Sequence, residues 1–226
     1  MPGTTQTIYP QRMRMTVGQQ RAWERSWDQW GTEVMNLPAG PLDTTGWFGR
    51  TAPVVLEIGS GMGESTALMA LDAAEVNHLA VEVYQPGLAQ LLLRIEQSKI
   101  TNLRLLRGDA YPLLHQHIAA DSLHGIRIYF PDPWPKRRHH KRRLINGEFI
   151  TLVASRLVPG GTLHLATDWE PYAEEMLAAC TAERSLHNTA AGNTFATRPA
   201  WRPVTKFEQR ARDEGRVVRD LLFTRV

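Results

Sequence analysis

The sequence has the size and composition of one globular domain with room for a small additional element. Its 226 residues are 42% hydrophobic and 22% charged, with 17 Gly, 14 Pro and a single cysteine, Cys180. These values exclude an intrinsically disordered chain, a collagen-like repeat and a disulfide-stabilised scaffold. A lone cysteine is typical of the reducing cytosol, and no uncharged apolar run is long enough to span a bilayer. We therefore predict a soluble, cytoplasmic protein.

The net charge of +3 conceals one strongly basic segment. Residues 136–143 read K-R-R-H-H-K-R-R and contain no acidic residue. The rest of the chain has 20 basic residues against 23 acidic ones, so the basic character comes from this segment. Localised positive charge is typical of a polyanion site, which favours a nucleic-acid surface. A solvated loop or a nuclear-type address is the alternative interpretation.

The first fifty residues have a pattern of their own. Trp23, Trp27 and Trp30 recur at helical spacing and predict a helix that packs through its tryptophan face. Proline and glycine punctuate residues 37–49, as is typical of a linker. We predict that residues 1–50 form an N-terminal extension and that residues 51–226 form the main domain.

From residue 53 onward, apolar strand patterns alternate with helical ones. Strands are predicted at 54–58, 78–83, 103–106, 126–130 and 162–166, and helices at 64–74, 85–98, 111–118, 143–157 and 170–182. This alternation predicts an α/β fold with a largely parallel sheet covered on both faces. Residues 185–203 are polar and predict a long loop, while residues 217–224 predict a last, antiparallel edge strand.

The first strand ends in a glycine-rich turn. Residues 57–63 read E-I-G-S-G-M-G, with the spacing G-x-G-x-G rather than the dinucleotide pattern G-x-G-x-x-G. Glu64 is a poor neighbour for a pyrophosphate at the start of a helix, whereas Glu57 and Glu64 together suit a cationic sulfonium ligand. A turn of this kind also serves simple strand-to-helix packing.

Acidic residues follow the next two strands. Glu82 ends the second strand and has the acceptor oxygens that a ribose requires, and Asp109 follows the third. Because the carboxyl ends of parallel strands share one edge of a sheet, these acids are expected to lie near the glycine turn. Asp109 is alternatively a helix N-cap.

The fourth strand runs into P-D-P-W-P at residues 131–135, where three prolines stiffen the backbone around Asp132 beside Trp134. With the glycine turn and the acids, this motif resembles the class I S-adenosylmethionine-dependent methyltransferases. The basic segment that follows it, and the run T-K-F-E at residues 205–208, narrow the resemblance to the TrmB family, the bacterial tRNA (guanine-N7-)-methyltransferases. The resemblance extends from about Arg14 to the end of the chain.

The resemblance implies a Rossmann-like fold with a mostly parallel, seven-stranded sheet, helices on both faces and the N-terminal helical extension. It implies S-adenosyl-L-methionine as cofactor and tRNA as substrate, with variable-loop guanosine 46 as target. No metal site is predicted, because Cys180 is isolated and His139 and His140 have no regular ligand spacing around them. The implied catalytic residue is Asp132, and the implied cofactor-binding residues are Glu57, Gly59, Gly61, Glu82, Asp109 and Asp132. The implied substrate-binding residues are Lys136, Asp168, Thr205, Lys206, Phe207 and Glu208, and the implied RNA-contacting residues are Arg138, His139, His140, Lys141, Arg142 and Arg143.

Two positions depart from the family pattern. Ala211 stands where a glycine is expected after the T-K-F-E run, and the segment from 37 to 51 does not align. Neither departure involves the residues that carry the chemistry.

Guanine N7 carries a free lone pair, so its methylation requires no general base. The reaction requires alignment of the reacting atoms and a negative environment for the charge that develops on the purine. We predict that Asp132 and Asp168 supply that environment, although Asp168 is alternatively the N-cap of the helix that follows it. Another RNA, a protein or a small molecule as substrate, or a non-catalytic tRNA-binding relative, remain alternatives, while the glycine spacing disfavours an NAD-linked oxidoreductase. No stable protein partner is implied, so we predict a monomer or a weak homodimer.

Overall fold

A computed structural model describes residues 14–226, which form a single eight-stranded sheet flanked by helices. The strands are β1 (Gly31–Glu33), β2 (Val54–Ile58), β3 (Asn77–Glu82), β4 (Leu103–Arg107), β5 (Leu123–Tyr129), β6 (Leu157–Thr167), β7 (Leu186–Asn188) and β8 (Arg219–Arg225). Their order in the sheet is β1-β4-β3-β2-β5-β6-β8-β7. The first six strands are parallel, and β8 runs antiparallel to both β6 and β7.

The helices are α1 (Val17–Trp30), α2 (Thr44–Phe48), α3 (Glu64–Asp72), α4 (Gln85–Ser98), α5 (Ala110–Pro112), α6 (Gly147–Arg156), α7 (Glu170–Ala182) and α8 (Lys206–Asp213). Short 3-10 turns occupy Val34–Asn36, Arg137–Arg142 and Ala191–Asn193, and a π-turn follows α5 at Leu113–His117. Within residues 14–226, no helix combines the length and the apolar character needed to cross a membrane.

The predicted α/β class, the largely parallel sheet and the antiparallel last strand are confirmed. The predicted count of seven strands is wrong by one. The additional edge strand, β1, lies inside the predicted extension and pairs with β4. Three residues are too short for a recognisable alternation, and the partner that makes them a strand lies more than seventy positions away.

Two further boundaries differ from the predictions. The predicted loop at 185–203 contains β7, which is also three residues long. The predicted helix at 143–157 starts only at Gly147, because the Asn146 side chain accepts from the Phe149 amide at 3.1 Å and caps the helix there. The basic residues before it form the separate 3-10 turn.

The apolar strands form the centre of the core. Leu56, Leu79, Ile126 and Leu163 on the four central strands are all fully buried, as a sheet covered on both faces requires. Burial of each such side chain contributes roughly 1.5–3 kcal/mol. This sheet is the rigid base on which the loops at its carboxyl edge are held.

The first described helix packs against this domain. In α1, Trp23 and Trp27 stack with ring centroids 3.9 Å apart, and Trp27 is buried against the cluster that includes α4. The Gln19 side chain donates to the Pro86 carbonyl at 3.3 Å. The predicted packing role of the tryptophan face agrees with these contacts, while the division of the chain at residue 50 stays a prediction.

Candidate functional site

A cavity of about 700 Å³ opens at the carboxyl edge of the sheet, a size typical of small-ligand sites. Its walls are the ends of β2, β3 and β5, the residues after β4, the P-D-P-W-P segment and the first residues of α8. Nine of the residues predicted to bind cofactor or substrate line it: Glu57, Gly59, Gly61, Glu82, Asp109, Asp132, Thr205, Lys206 and Phe207.

The glycine turn presents bare backbone to the cavity. Gly59 and Gly61 have φ of 80° and 54°, in the left-handed region that glycine occupies without strain. A Cβ built at either position meets nothing within 4 Å, so both glycines face open space. Glu64 in the first turn of α3 adds negative charge beside this surface, as the sequence predicted.

Gly87, in the first turn of α4, supports the glycine turn from behind. A Cβ at Gly87 would lie 2.1 Å from the carbonyl oxygen of Gly61, so only glycine permits this approach. Gly87 was not among the site residues predicted from the sequence. The available signal was a glycine inside a strongly amphipathic helix, where it costs stability unless a close contact requires it.

The Glu82 carboxylate fixes the geometry of the turn. It is buried and accepts three backbone hydrogen bonds, from the Val83 and Tyr84 amides to Oε1 and from the Gly61 amide to Oε2, at 2.7–2.9 Å. A carboxylate has about four acceptor positions, so roughly one remains, on Oε2. Glu82 therefore holds the loop and keeps an acceptor for a ligand hydroxyl.

Glu57 and Asp109 occupy different environments. Burial raises the pKa of the Glu57 carboxyl above its usual range, although Arg127 and a 3.4 Å hydrogen bond from the Ser65 hydroxyl oppose the rise. Asp109 caps α5 by accepting from the Tyr111 amide at 2.8 Å, which is the alternative role considered for it. Because Asp109 also lines the cavity, the cap orients it there.

Asp132 lies at the mouth of the cavity on a constrained backbone. Phe130, just before the P-D-P-W-P segment, and Trp134, within it, have φ of 51° and 41°, a conformation that costs energy for side chains of this size. Although Asp132 is exposed, the surrounding protein removes enough water to raise the pKa of its carboxyl. No donor within residues 14–226 pairs with this carboxylate, so its oxygens are available to a ligand.

The basic segment, residues 136–143, folds against the P-D-P-W-P segment. The Arg142 guanidinium lies over the Trp134 ring at 5.0 Å, and both residues line the cavity. Arg143 points the other way: it is buried, donates from Nε to the Pro133 carbonyl at 2.8 Å and pairs with Glu175. The predicted RNA contact does not fit the buried Arg143, whereas Arg138 and Lys141 are exposed.

The T-K-F-E run divides into two pairs. Thr205 caps α8 by accepting from the Glu208 amide at 3.2 Å, and Glu208 is fully buried in an ion pair with Arg202. Lys206 and Phe207 lie at the cavity mouth, where Phe207 is 69% exposed. The buried position of Glu208 does not fit the substrate contact predicted for it. Ala211 on the same helix is buried, which accounts for a small residue there.

Lys136 and Asp168 do not line the cavity. Lys136 is exposed at the start of the basic segment, and Asp168 forms an ion pair with Arg216. Asp168 is not the N-cap of α7, because the helix begins after Trp169 and has no side-chain cap. The structure therefore brings Asp132, but not Asp168, to the cavity.

Within residues 14–226 no three His, Cys, Asp or Glu residues cluster as a metal site.

The fold and the cavity define a class of protein. The sheet is parallel, carries a glycine turn and acidic residues at its carboxyl edge, and is completed by the antiparallel β8 beside β6. This arrangement is the fold of the class I methyltransferases. The chain is similar to the crystal structure of a 30S ribosomal A1408 methyltransferase from an uncultured bacterium, with a TM-score of 0.55 and 12% identity over 84% of this chain and 100% of that one. It is also similar to the antibiotic-resistance methyltransferase Kmr, with a TM-score of 0.51 and 14% identity over 77% and 87% of the chains. These likenesses show the fold.

Sequence comparison identifies the family. A family described as "Putative methyltransferase" matches residues 51–221. The chain is 51% identical to the tRNA (guanine-N(7)-)-methyltransferase of Streptomyces avermitilis over 97% of this chain and 75% of that protein. It is 47% identical to the protein of the same name from Halorhodospira halophila, over 98% and 95% of the two chains. The chain belongs to the tRNA (guanine-N7-)-methyltransferase family, as its motifs predicted.

The contact at Gly87 generates a prediction for ligand binding. Gly87→Ala forces the Gly61 carbonyl to move, so we expect the Kd for S-adenosylmethionine to rise at least about tenfold, as measured by calorimetry. Gly147→Ala is the matched control, because a Cβ there meets nothing within 4 Å at the start of α6. Equal affinity in the two variants would contradict the role assigned to the close approach.

Proposed function

We propose that the protein transfers the methyl group of S-adenosylmethionine to N7 of a guanine in tRNA and forms 7-methylguanosine. Membership of the family supports the reaction and the substrate, since relatives of that name are about half identical to nearly the whole chain. The target nucleotide, variable-loop guanosine 46, is part of the proposal and rests on the motif resemblance. The observation that carries the proposal is the Asp132 carboxylate, which has no donor among residues 14–226 and lies between a glycine-lined cavity and a basic surface.

The residues present fit the cofactor. Gly59 and Gly61 leave open backbone against which a nucleoside packs, and Glu82 keeps an acceptor for a ribose hydroxyl. Glu64 makes the surroundings of the turn negative, which suits a sulfonium cation and opposes a pyrophosphate. A bound cation would also favour the ionised form of the buried Glu57 carboxyl. When bound, the cofactor supplies an activated methyl group; Glu57, Gly59, Gly61, Glu82 and Asp109 are the residues that would hold it.

Asp132 has an electrostatic role in this proposal. Guanine N7 needs no deprotonation, so the carboxylate is not a general base. Methylation places positive charge on the purine, and a fixed negative group at the cavity mouth stabilises that charge more strongly than water does. The prolines and the left-handed residues around Asp132 hold the carboxylate in place before the substrate binds.

The basic segment is the proposed contact with the tRNA backbone. Its exposed residues, which include Arg137, Arg138 and Lys141, are available to phosphates beside the cavity. The stacking of Arg142 on Trp134 joins this surface to the segment that carries Asp132. Phosphate contacts made there therefore place a nucleotide near the carboxylate.

The cytoplasm is the proposed compartment, and a monomer or a weak homodimer is the proposed assembly. The thiol of Cys180 is buried, which raises its pKa to about 12 and makes it unreactive. A buried, neutral thiol is compatible with a reducing compartment.

The proposal is tested with labelled S-adenosylmethionine and three matched tRNA transcripts. One is unmodified, one has 7-deazaguanine at position 46, and one has 7-deazaguanine at another guanine. We expect label in the first and third only, because the 7-deaza base lacks the accepting lone pair, and recovery of 7-methylguanosine after digestion. Labelling of all three would refute position 46, and absence of label despite cofactor binding would refute the substrate.

Asp132→Asn removes the negative charge without changing the shape of the side chain. We expect turnover to fall at least about 100-fold, while the Kd for S-adenosylmethionine stays near that of the wild type. Because the pKa of Asp132 is raised, the wild-type rate should rise with pH through a range above that of an ordinary aspartate, about 3.9, and the variant should lack this rise. A variant with normal turnover would exclude Asp132 from the mechanism.

Neutralisation of the basic segment should alter the salt dependence of tRNA binding. Arg138→Gln with Lys141→Gln should reduce the slope of log affinity against log salt by about 0.7 to 0.9 for each charge removed. Arg184→Gln is the control, since Arg184 is exposed after α7, which leads away from the carboxyl edge. An unchanged slope in the double variant would identify the segment as a solvated loop.

A further inference from the structure

A buried ionic network joins the sheet to the segment before α8. Arg202, 1% exposed, donates from Nε and Nη2 to the two carboxylate oxygens of Asp220 on β8, at 2.8 and 3.0 Å. Its remaining Nη1 donates to the carboxylate of Glu208. Arg202 was not among the residues predicted from the sequence, and it bridges two acids that are both buried.

The network continues to the cavity wall. Asp220 Oδ1 lies 2.8 Å from His164 Nε2, and the Tyr129 hydroxyl lies 3.0 Å from His164 Nδ1. An ionised carboxylate only accepts, so the hydrogen-bond pattern assigns the His164 proton to Nε2 and makes the tyrosine hydroxyl the donor to Nδ1. Burial lowers the pKa of His164, which agrees with a neutral ring. Tyr129, at the far end of the network, lines the cavity.

The helix that this network holds has few other attachments. In α8 the only residues that are buried are Glu208 and Ala211. Two further arginines pair with Glu208: Arg212 from within the helix, and Arg198, at 3.9 Å, from the segment before it. Neither residue lies on a strand, so neither ties the helix directly to the sheet. The Arg202 link through Glu208 is therefore the main polar connection between the first turn of α8 and the sheet.

We propose that Arg202 is a positioning residue for the RNA substrate. Through Glu208 it fixes the first turn of α8, and so presents Lys206 and Phe207 at the cavity mouth, while Glu208 itself makes no substrate contact. An arginine suits this role because its planar group donates three bonds to two acids at once, which a lysine does not reproduce. The inference rests on the proposed function, since it concerns how that substrate is held.

The attachment of α8 is tested on the free protein with Arg202→Lys, which keeps the positive charge and removes the planar set of donors that bridges Asp220 and Glu208. We expect tryptic cleavage after Lys206 to accelerate about tenfold, because the first turn of α8 opens more often. Asn102→Ala is the matched control. Asn102 is buried before β4, on the other side of the sheet centre from β8, and its side-chain nitrogen lies within hydrogen-bond distance of three backbone carbonyls, 2.8–3.0 Å away. Its loss should lower the melting temperature without faster cleavage after Lys206.

The positioning is tested with methylation kinetics. Arg202→Lys should lower kcat/KM for tRNA about tenfold while the Kd for S-adenosylmethionine is unchanged, and Asn102→Ala should alter neither. Lys206→Ala combined with Phe207→Ala should lower kcat/KM at least as much, and adding Arg202→Lys to this pair should cause no further loss, because Arg202 acts through these two side chains.

Several outcomes would overturn the inference. A further loss on adding Arg202→Lys to the variant that lacks both Lys206 and Phe207 would show that Arg202 does not act through these two side chains. A parallel loss of cofactor affinity would make the network a general support of the fold. If Arg202→Lys does not fold, Glu208→Gln allows the same comparisons with the arginine retained. Normal methylation kinetics and an unchanged rate of cleavage after Lys206 in the variant that folds would refute the positioning role of Arg202. Failure of the wild type to methylate tRNA would instead refute the proposed function, and the cleavage rates would still decide the anchoring.

Discussion

Parallel pairing of β2 with both β3 and β5 brings the walls of the cavity to one edge of the sheet. Ile58 is in register with Val81 on one side and with Ile128 on the other, so the three strands end at the same level. The glycine turn, Glu82 and the Asp132 segment follow directly from those three ends. A slip of one residue in any pair would exchange side chains between the two covered faces of the sheet and shift the strand ends, so the register that builds the core also builds the site.

The acidic residues at this edge differ in what surrounds them, and their surroundings determine what each does. The carboxylate of Glu82 is committed largely to backbone amides and orders the loop. Glu208 is neutralised by arginines inside the protein and anchors a helix. Asp132 has neither kind of partner in the described chain, so desolvation raises its pKa and its oxygens stay available, as the proposed electrostatic role requires. Acidic side chains thus serve to order a loop, to anchor a helix and, in the proposed function, to stabilise developing charge.

The periodic parts of the molecule were predictable from the sequence. The central strands are continuous apolar runs, and the glycine spacing and the P-D-P-W-P motif indicate the cavity locally. The strands β1 and β7 were not predictable, because three-residue strands exist only through distant partners. The burial of Arg143 and the bridging role of Arg202 also depend on distant partners. An arginine in a polar stretch is predicted to be exposed, and only the structure shows the acidic residue, Glu175 or Asp220, with which it pairs.

The basic segment is a folded part of the cavity rather than a flexible appendage. Arg143 ties its end to the Pro133 carbonyl and to Glu175, while Arg142 stacks on Trp134. An arginine committed to the fold in this way contributes little to phosphate affinity, but it determines where the exposed cations stand. The same contacts restrain the backbone just after Asp132, at Pro133 and Trp134. In the proposed function, the fold itself therefore sets where a nucleic acid bound to the exposed cations lies relative to the Asp132 carboxylate.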